Sequence, residues 1–218
     1  MRHFEEELDD LQRRLLEMAG LVETAIRYSV QAVAARDASY AQEVFKNEGR
    51  INRLQIEIDD FATRLLALHQ PMARDLRFLT AAIKINSDLE RMGDLAVNIA
   101  ERSVSLIQRP ELKPLIDIPA MAALTQGMVR DALDAFVNRD PDLARKVLLA
   151  DDAVDQRRDI VCEELVGFME RDPGTVRRGF DLIAIARNLE RIADHATNIA
   201  EDVLFLIKGI DVRHHAEA

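Results

Sequence analysis

The sequence predicts an all-α protein built as two tandem repeated three-helix bundles, six long antiparallel helices in all. Three observations carry that reading. The segment Leu89–Glu101, LERMGDLAVNIAE, returns as Leu189–Glu201, LERIADHATNIAE, with nine of thirteen positions identical, so one unit is written twice. Pro71, Pro110, Pro114, Pro119, Pro141 and Pro173 all fall between periodic stretches, where a residue that breaks helix interiors belongs. Strict apolar–polar alternation, the mark of a half-buried strand, is absent over any useful length.

Leu8, Leu11, Leu15, Met18, Val22 and Ile26 recur at spacings of three and four and give a first helix over 3–36. Ile51, Leu54, Ile58, Leu65 and Leu68 do the same for a second helix over 39–69, and the third, 72–108, carries the repeat. Helices over 119–139, 141–170 and 174–208 follow. Asp140-Pro141 is a start signal, Asp as the capping acceptor and Pro at the first helical position. Arg36-Asp37 stands at the matching place in the first half. At about 1.5 Å per residue the longer helices reach about 45–55 Å. Short connections make neighbours antiparallel. The domain reading is therefore a first repeat over 1–108, a link over 109–118 (RPELKPLIDI), a second repeat over 119–208, and a flexible tail over 209–218. Periodicity leaves open whether the halves form one body or two. Gly49, Gly93, Gly127, Gly167 and Gly179 fall inside helices and read as close contacts or bends, since each costs up to about 1 kcal/mol relative to Ala.

At 48% apolar and 5% aromatic, with no Trp, the core must be aliphatic, with Tyr28, Tyr40 and the phenylalanines packed into it. A formal charge of −10 argues against nucleic acid, which needs clustered Lys and Arg, and favours cations or basic surfaces. Cys162 is the only cysteine, which excludes an intrachain disulfide and a Cys-based zinc site; it reads as a buried, inert thiol. The acidic start MRHFEEELDDL is no signal peptide, and no run is long and apolar enough to span a membrane. A cytoplasmic protein that meets the membrane only through another protein is expected.

The repeat also carries chemistry. At about 100° per residue, Glu90, Asp94, Asn98 and Glu101 fall within about 80° of one another, opposite an apolar face that includes Met92 and Ile99. Glu190, Asp194, Asn198 and Glu201 repeat the rail. Like charges four residues apart cost a bare helix roughly 0.2–0.5 kcal/mol per pair, and both copies retain them. A bound hard cation offsets that cost, because carboxylate and amide oxygens are its preferred ligands. On the preceding helices Asp151 and Asp155, and their counterparts Glu48 and Asn52, have the same spacing and could face the rails. A solvated face is the competing reading. His195, where the first copy has Leu95, reads as a packed or capped residue before a ligand.

No Glu-x-x-His, no phosphate-cradling glycine loop and no G-x-S-x-G occurs, and nothing assembles a nucleophile with a base. The protein is expected not to be an enzyme.

With LERMGD and NLERIADHATNIAEDV at matching places, and QPMARDLR at Gln70–Arg77 opening the third helix, the whole chain resembles the PhoU family. The resemblance implies a cytoplasmic negative regulator of phosphate uptake and of the phosphate-starvation response. Its implied partners are the ATPase of an ABC phosphate transporter and a sensor histidine kinase, with no nucleic acid and no membrane insertion. It further implies metal ions, iron, zinc or manganese among the candidates, on Glu90/Asp94, Glu190/Asp194, Asp151/Asp155 and Glu48/Asn52. Asn52 departs from the acidic pattern and brings no charge, so the first-half site is expected to be weaker. A homodimer is the expected assembly, although no motif marks its surface. Two other readings stand beside this one: a helical adaptor without metal, and an accessory to an ion-driven phosphate carrier.

Overall fold

The computed structural model describes residues 2–112 and 117–209. Six α-helices carry the chain: α1 (Arg2–Ala35), α2 (Ala38–His69), α3 (Ala73–Ile107), α4 (Asp117–Asn138), α5 (Pro141–Arg171) and α6 (Val176–Lys208). The expected tail from 210 onward, with His214 and His215, and residues 113–116 of the link lie outside the described residues. Two boundaries differ from expectation. A 3-10 turn over Pro173–Thr175, capped by Asp172 accepting from the Gly174 amide, precedes α6. The link is also shorter than expected, because α4 starts at Asp117, before Pro119. A proline in the first turn forfeits no helical bond, so it does not mark the boundary.

The first corner of each half is built identically. Arg36 and Arg139 both adopt a left-handed backbone with φ of 52°. The next amide then bonds back across the helix end, Asp37 to the Ala32 carbonyl at 3.2 Å and Asp140 to that of Ala135 at 3.0 Å. The Asp side chain in turn caps the next helix: Asp37 accepts from Ser39, and Asp140 from Asp142 and Leu143. Only Arg36 has a second task. Its guanidinium donates to the Leu106 and Ile107 carbonyls, both at 3.1 Å, and to that of Arg109, closing the end of α3. Arg139→Gly is therefore expected to stabilise by roughly 0.5–1 kcal/mol, relief of left-handed strain less the added unfolded-chain entropy. Arg36→Gly is expected to destabilise, because charged donors to carbonyls contribute about 1.5–3 kcal/mol. Urea-unfolding midpoints of the two variants should move in opposite directions.

Packing settles whether the halves are one body. α3 and α6 make the most extensive contact of any helix pair, and α1 also packs on α4. Leu89, Met92 and Ile99 of α3 and Leu189, Ile192 and Ile199 of α6 have no exposed surface. Burying such side chains contributes about 1.5–3 kcal/mol each. Polar pairs pin the register: Lys84 Nζ reaches Asp202 Oδ1 at 2.8 Å, and Asn198 Nδ2 donates to Asp88 Oδ1 at 3.2 Å. Four residues forward along α3 are thus four back along α6, and two copies of one unit meet antiparallel about an approximate two-fold axis. Deeper in the seam, Asp181 is only 4% exposed and accepts from Ser105 Oγ at 2.9 Å and Arg102 Nη1 at 3.2 Å.

Several side chains depart from the sequence reading. Leu68, Phe45 and Phe180 are exposed although their spacing placed them in the core. Among the six helical glycines, Gly20 in α1 included, an added Cβ meets close neighbours only at Gly93, 3.3 Å from Ile51 Cγ2, and at Gly179, 2.9 Å from Met169. Gly127 faces open space and Gly49 and Gly167 meet only arginine tips at 3.9 Å, so the close-contact reading fails there. Gly93 shows how the repeats diverged. Where the second copy has Ala193, the residue matching Ile51 is Val154, one methylene smaller, which makes room for the methyl. Among the described residues, no helix is long and apolar enough to cross a membrane.

Candidate metal centre

Glu190 and Asp194 of the second-half rail stand within reach of charges on α5. Glu190 is half-buried, and Asp194 is exposed at its outer edge. Asp151 and Asp155, half-buried on α5, approach the same spot. The electrostatics record the convergence. Burial, then the charges of Glu190, Asp151 and Asp155, push the Asp194 carboxyl up to about 6, with His195 easing it. Burial and the carboxylates of Asp155, Asp152 and Glu190 likewise raise Asp151. Four carboxylates from two helices therefore repel one another at one seat.

The sequence reading missed the cation already there. Arg158 Nη1 donates to Glu190 Oε1 at 2.5 Å and lies 3.3 Å from Asp155 Oδ1. Arg158 stands three residues after Asp155, a spacing at which opposite charges meet on a helix face, so that half of the bridge was legible. The reach to Glu190 required the α5–α6 register. Aligning the buried Val44, Ile51 and Ile58 with Val147, Val154 and Val161 puts Gln55, uncharged, in the place of Arg158.

The first-half rail is differently surrounded. Burial and the Asp94 charge raise Glu90, while Arg91 and His195 lower it. Glu48 is not among those charges. Asn86 donates to the Gln55 carbonyl and to Asp59 at 2.9 and 2.8 Å, and Gly93 faces Ile51. That register sets the half-buried Glu48 and Asn52 at the level of Asp94 and Glu90 without drawing them into the same field.

The outer rail members separate from the inner ones. Asn98 and Glu101 are exposed, Glu201 is half-buried, and Asn198 turns across the seam to Asp88. His195 joins that contact, its Nδ1 2.7 Å from Asp88 Oδ1, and is thus a capped residue of the α3–α6 seam. Cys162 is half-buried where a buried thiol was expected, and burial still raises its pKa, against a reactive thiolate. Among the described residues, no three His, Cys, Asp or Glu side chains converge in ligating geometry. The donor chemistry at Asp151, Asp155, Glu190 and Asp194 nonetheless fits a cation: oxygen ligands only, excess negative charge, and one carboxyl that burial and its neighbours raise to about 6.

A family model for the PhoU domain matches residues 15–103 and 118–203, one match for each half of the fold. The chain belongs to the PhoU family. It is 40% identical over 214 residues to the phosphate-specific transport system accessory protein PhoU homologue of Pseudomonas aeruginosa, covering 98% of this chain and 88% of the relative. The crystal structure of PhoU from Pseudomonas aeruginosa superposes with a TM-score of 0.93 at 39% identity, covering 95% of this chain and all of that one (100%). The phosphate transport system regulatory protein PhoU from Streptococcus pneumoniae superposes at 0.88 with 30% identity, over 96% of this chain and 99% of that one. As a PhoU-family fold, the chain keeps both halves of the unit.

Proposed function

We propose that this protein is a non-enzymatic regulator of phosphate transport that holds metal ions between α5 and α6. It acts in the cytoplasm, when phosphate is ample, on the ATPase of an ABC phosphate transporter and on a sensor histidine kinase. The names of its relatives, accessory and regulatory proteins of phosphate transport systems, support the role. What supports the metal reading is the charge of Glu190, Asp151 and Asp155 acting on Asp194, which together with burial raises it to about 6. A divalent cation there relieves the repulsion and ties α5 to α6, while Glu90 and Asp94, lacking a charged partner pair on α2, form the weaker site.

Elemental analysis of protein purified without chelator tests this beside the Glu190→Ala/Asp194→Ala variant. Stoichiometric iron, zinc or manganese in the parent and its loss in the variant are expected, together with derepressed phosphate-starvation genes in cells carrying the variant. Unchanged repression in a variant stripped of metal would remove the metal from the mechanism. Arg158 favours one alternative, an adaptor whose carboxylates are neutralised internally. That adaptor keeps full partner binding after exhaustive chelation.

A further inference from the structure

A groove of about 990 Å³ runs between α5 and α6 and is walled on one side by α3. Its character changes along its length. Val176, Phe180, Ile183, Arg187 and Arg191 share one face of α6 by their spacing, so that face is apolar at its start and basic at its end. The opposite wall has the same order, because α5 is antiparallel: Val166 and Cys162 lie toward the apolar end, and Arg158 toward the basic one. Val166 in the groove wall is 43% exposed, and beyond that end Phe180 and Val176 continue the same face of α6, 60% and 47% exposed.

The charges at the other end differ in availability. Arg158 is engaged by Asp155, Asp159 and Glu190, and Arg102 of α3 by Asp181. Among the described residues, Arg187 and Arg191 pair with no carboxylate. Asp159 and Glu190 also line the groove and are both engaged by Arg158, so Arg187 and Arg191 are the charges left without a counter-ion there, on a chain of net charge −10.

The repeat supplies a comparison within the same molecule. At the matching positions of α3, Phe180 is replaced by Thr80 and Arg187 by Ser87, while Ile183 and Arg191 are kept as Ile83 and Arg91. The first half therefore has neither the exposed ring nor a free guanidinium at these positions, since Arg91 lies 3.6 Å from Glu90. A requirement of the fold would have been shared by both copies.

We propose that the second-half groove is the docking site for an acidic amphipathic helix of a partner protein. Val176 to Arg191 spans about 23 Å, the length of a helix of about 16 residues. Such a helix lays its apolar stripe on Phe180, Val166 and Ile183 and sets its carboxylates against Arg187 and Arg191. The groove is far larger than a phosphate ion, and its apolar half gives a small oxyanion nothing to bind. The proposal goes beyond the metal reading and does not rest on it, since Arg187 and Arg191 are no part of the carboxylate seat.

The test is selection from a displayed library of peptides of about 16 residues on the full chain, with counter-selection on Arg187→Glu/Arg191→Glu. Both arginines are exposed, and circular dichroism confirms that the variant keeps its helix content. Peptides lost on the variant are expected to be amphipathic and enriched in Asp and Glu at one end. In fluorescence anisotropy, a synthetic copy of the most enriched peptide should bind at least tenfold more weakly to the double variant and to Phe180→Ser. Arg91→Glu, in the first half, should bind it normally. Groove-dependent peptides without acidic enrichment, or none at all, would overturn the proposal. So would displacement of the peptide by millimolar inorganic phosphate but not by chloride of equal ionic strength, which would make the groove a small-oxyanion site.

Discussion

Arg102→Met combined with Ser105→Ala is expected to lower the unfolding free energy by about 3 kcal/mol. Both residues serve Asp181, whose carboxylate is only 4% exposed at the seam between the halves. Ser105 donates at 2.9 Å and Arg102 at 3.2 Å, leaving Arg109 Nη1, 3.7 Å away and making no hydrogen bond. Stripping both donors leaves a nearly buried carboxylate without a hydrogen bond from either, facing only Arg109 at 3.7 Å. The size of the effect comes from that orphaned group more than from the lost pair, since the arginine itself is half in solvent. The first copy shows the remedy, because Ala81 stands where the second has Asp181. Adding Asp181→Ala to the double variant should recover most of the loss. Urea unfolding followed by circular dichroism measures all three proteins. A triple variant no more stable than the double would mean that the seam depends on packing by Arg102 instead.

The second large effect reverses sign with metal. In chelated protein Asp194→Asn is expected to stabilise at pH 7, because Asp194 must ionise there against burial and three nearby carboxylates. Its pKa rises from an ordinary 3.8 to about 6 on folding, so the folded state binds the extra proton. Stability from this group is therefore lost as pH climbs from about 4 to about 6, and the deficit is complete above that. The displacement is nominally about 3 kcal/mol. Solvent screening at an exposed carboxyl reduces it to about 1 kcal/mol. The advantage of Asp194→Asn should accordingly be full at pH 7 and vanish by pH 4. With iron, zinc or manganese present in excess, the same substitution should lower the melting temperature, since a carboxylate ligand is gone. Thermal melts at pH 4, 5.5 and 7, with and without chelator, give the pattern. A variant equally destabilised under every condition would make Asp194 a packing residue.

Helix number and corners were readable from spacing, as was the one-turn spacing of the acid pairs, and the reasons are local. Asp140 caps the helix that follows it, and Asp194 follows Glu190 by one turn, whatever the rest of the chain does. What spacing could not supply was the meeting of distant segments. Asp88 carries no pattern of its own, yet it receives both His195 and Asn198 once α3 and α6 lie antiparallel. Asn198, placed on the rail by spacing, thus also ties the seam through its amide nitrogen. Arg158 was half visible, through Asp155 on its own helix, and its contact with Glu190 was not. Phe180 misled for a related reason. Periodicity assigns an apolar residue to a face, but only the packing of α5 and α3 decides whether that face is covered, and this ring is 60% exposed.

The antiparallel meeting of α3 and α6 joins two descendants of one ancestral half as a symmetric dimer would, but on a single polypeptide. In a dimer of identical chains, every substitution is made twice, once on each face, and a change that suits one face must be tolerated by the other. Joining the halves removes that constraint. Phe180 where the first copy has Thr80, Arg187 where it has Ser87 and Arg158 where it has Gln55 are differences that a pair of identical chains could not hold. One face was left free to specialise while the other kept the shared framework in place.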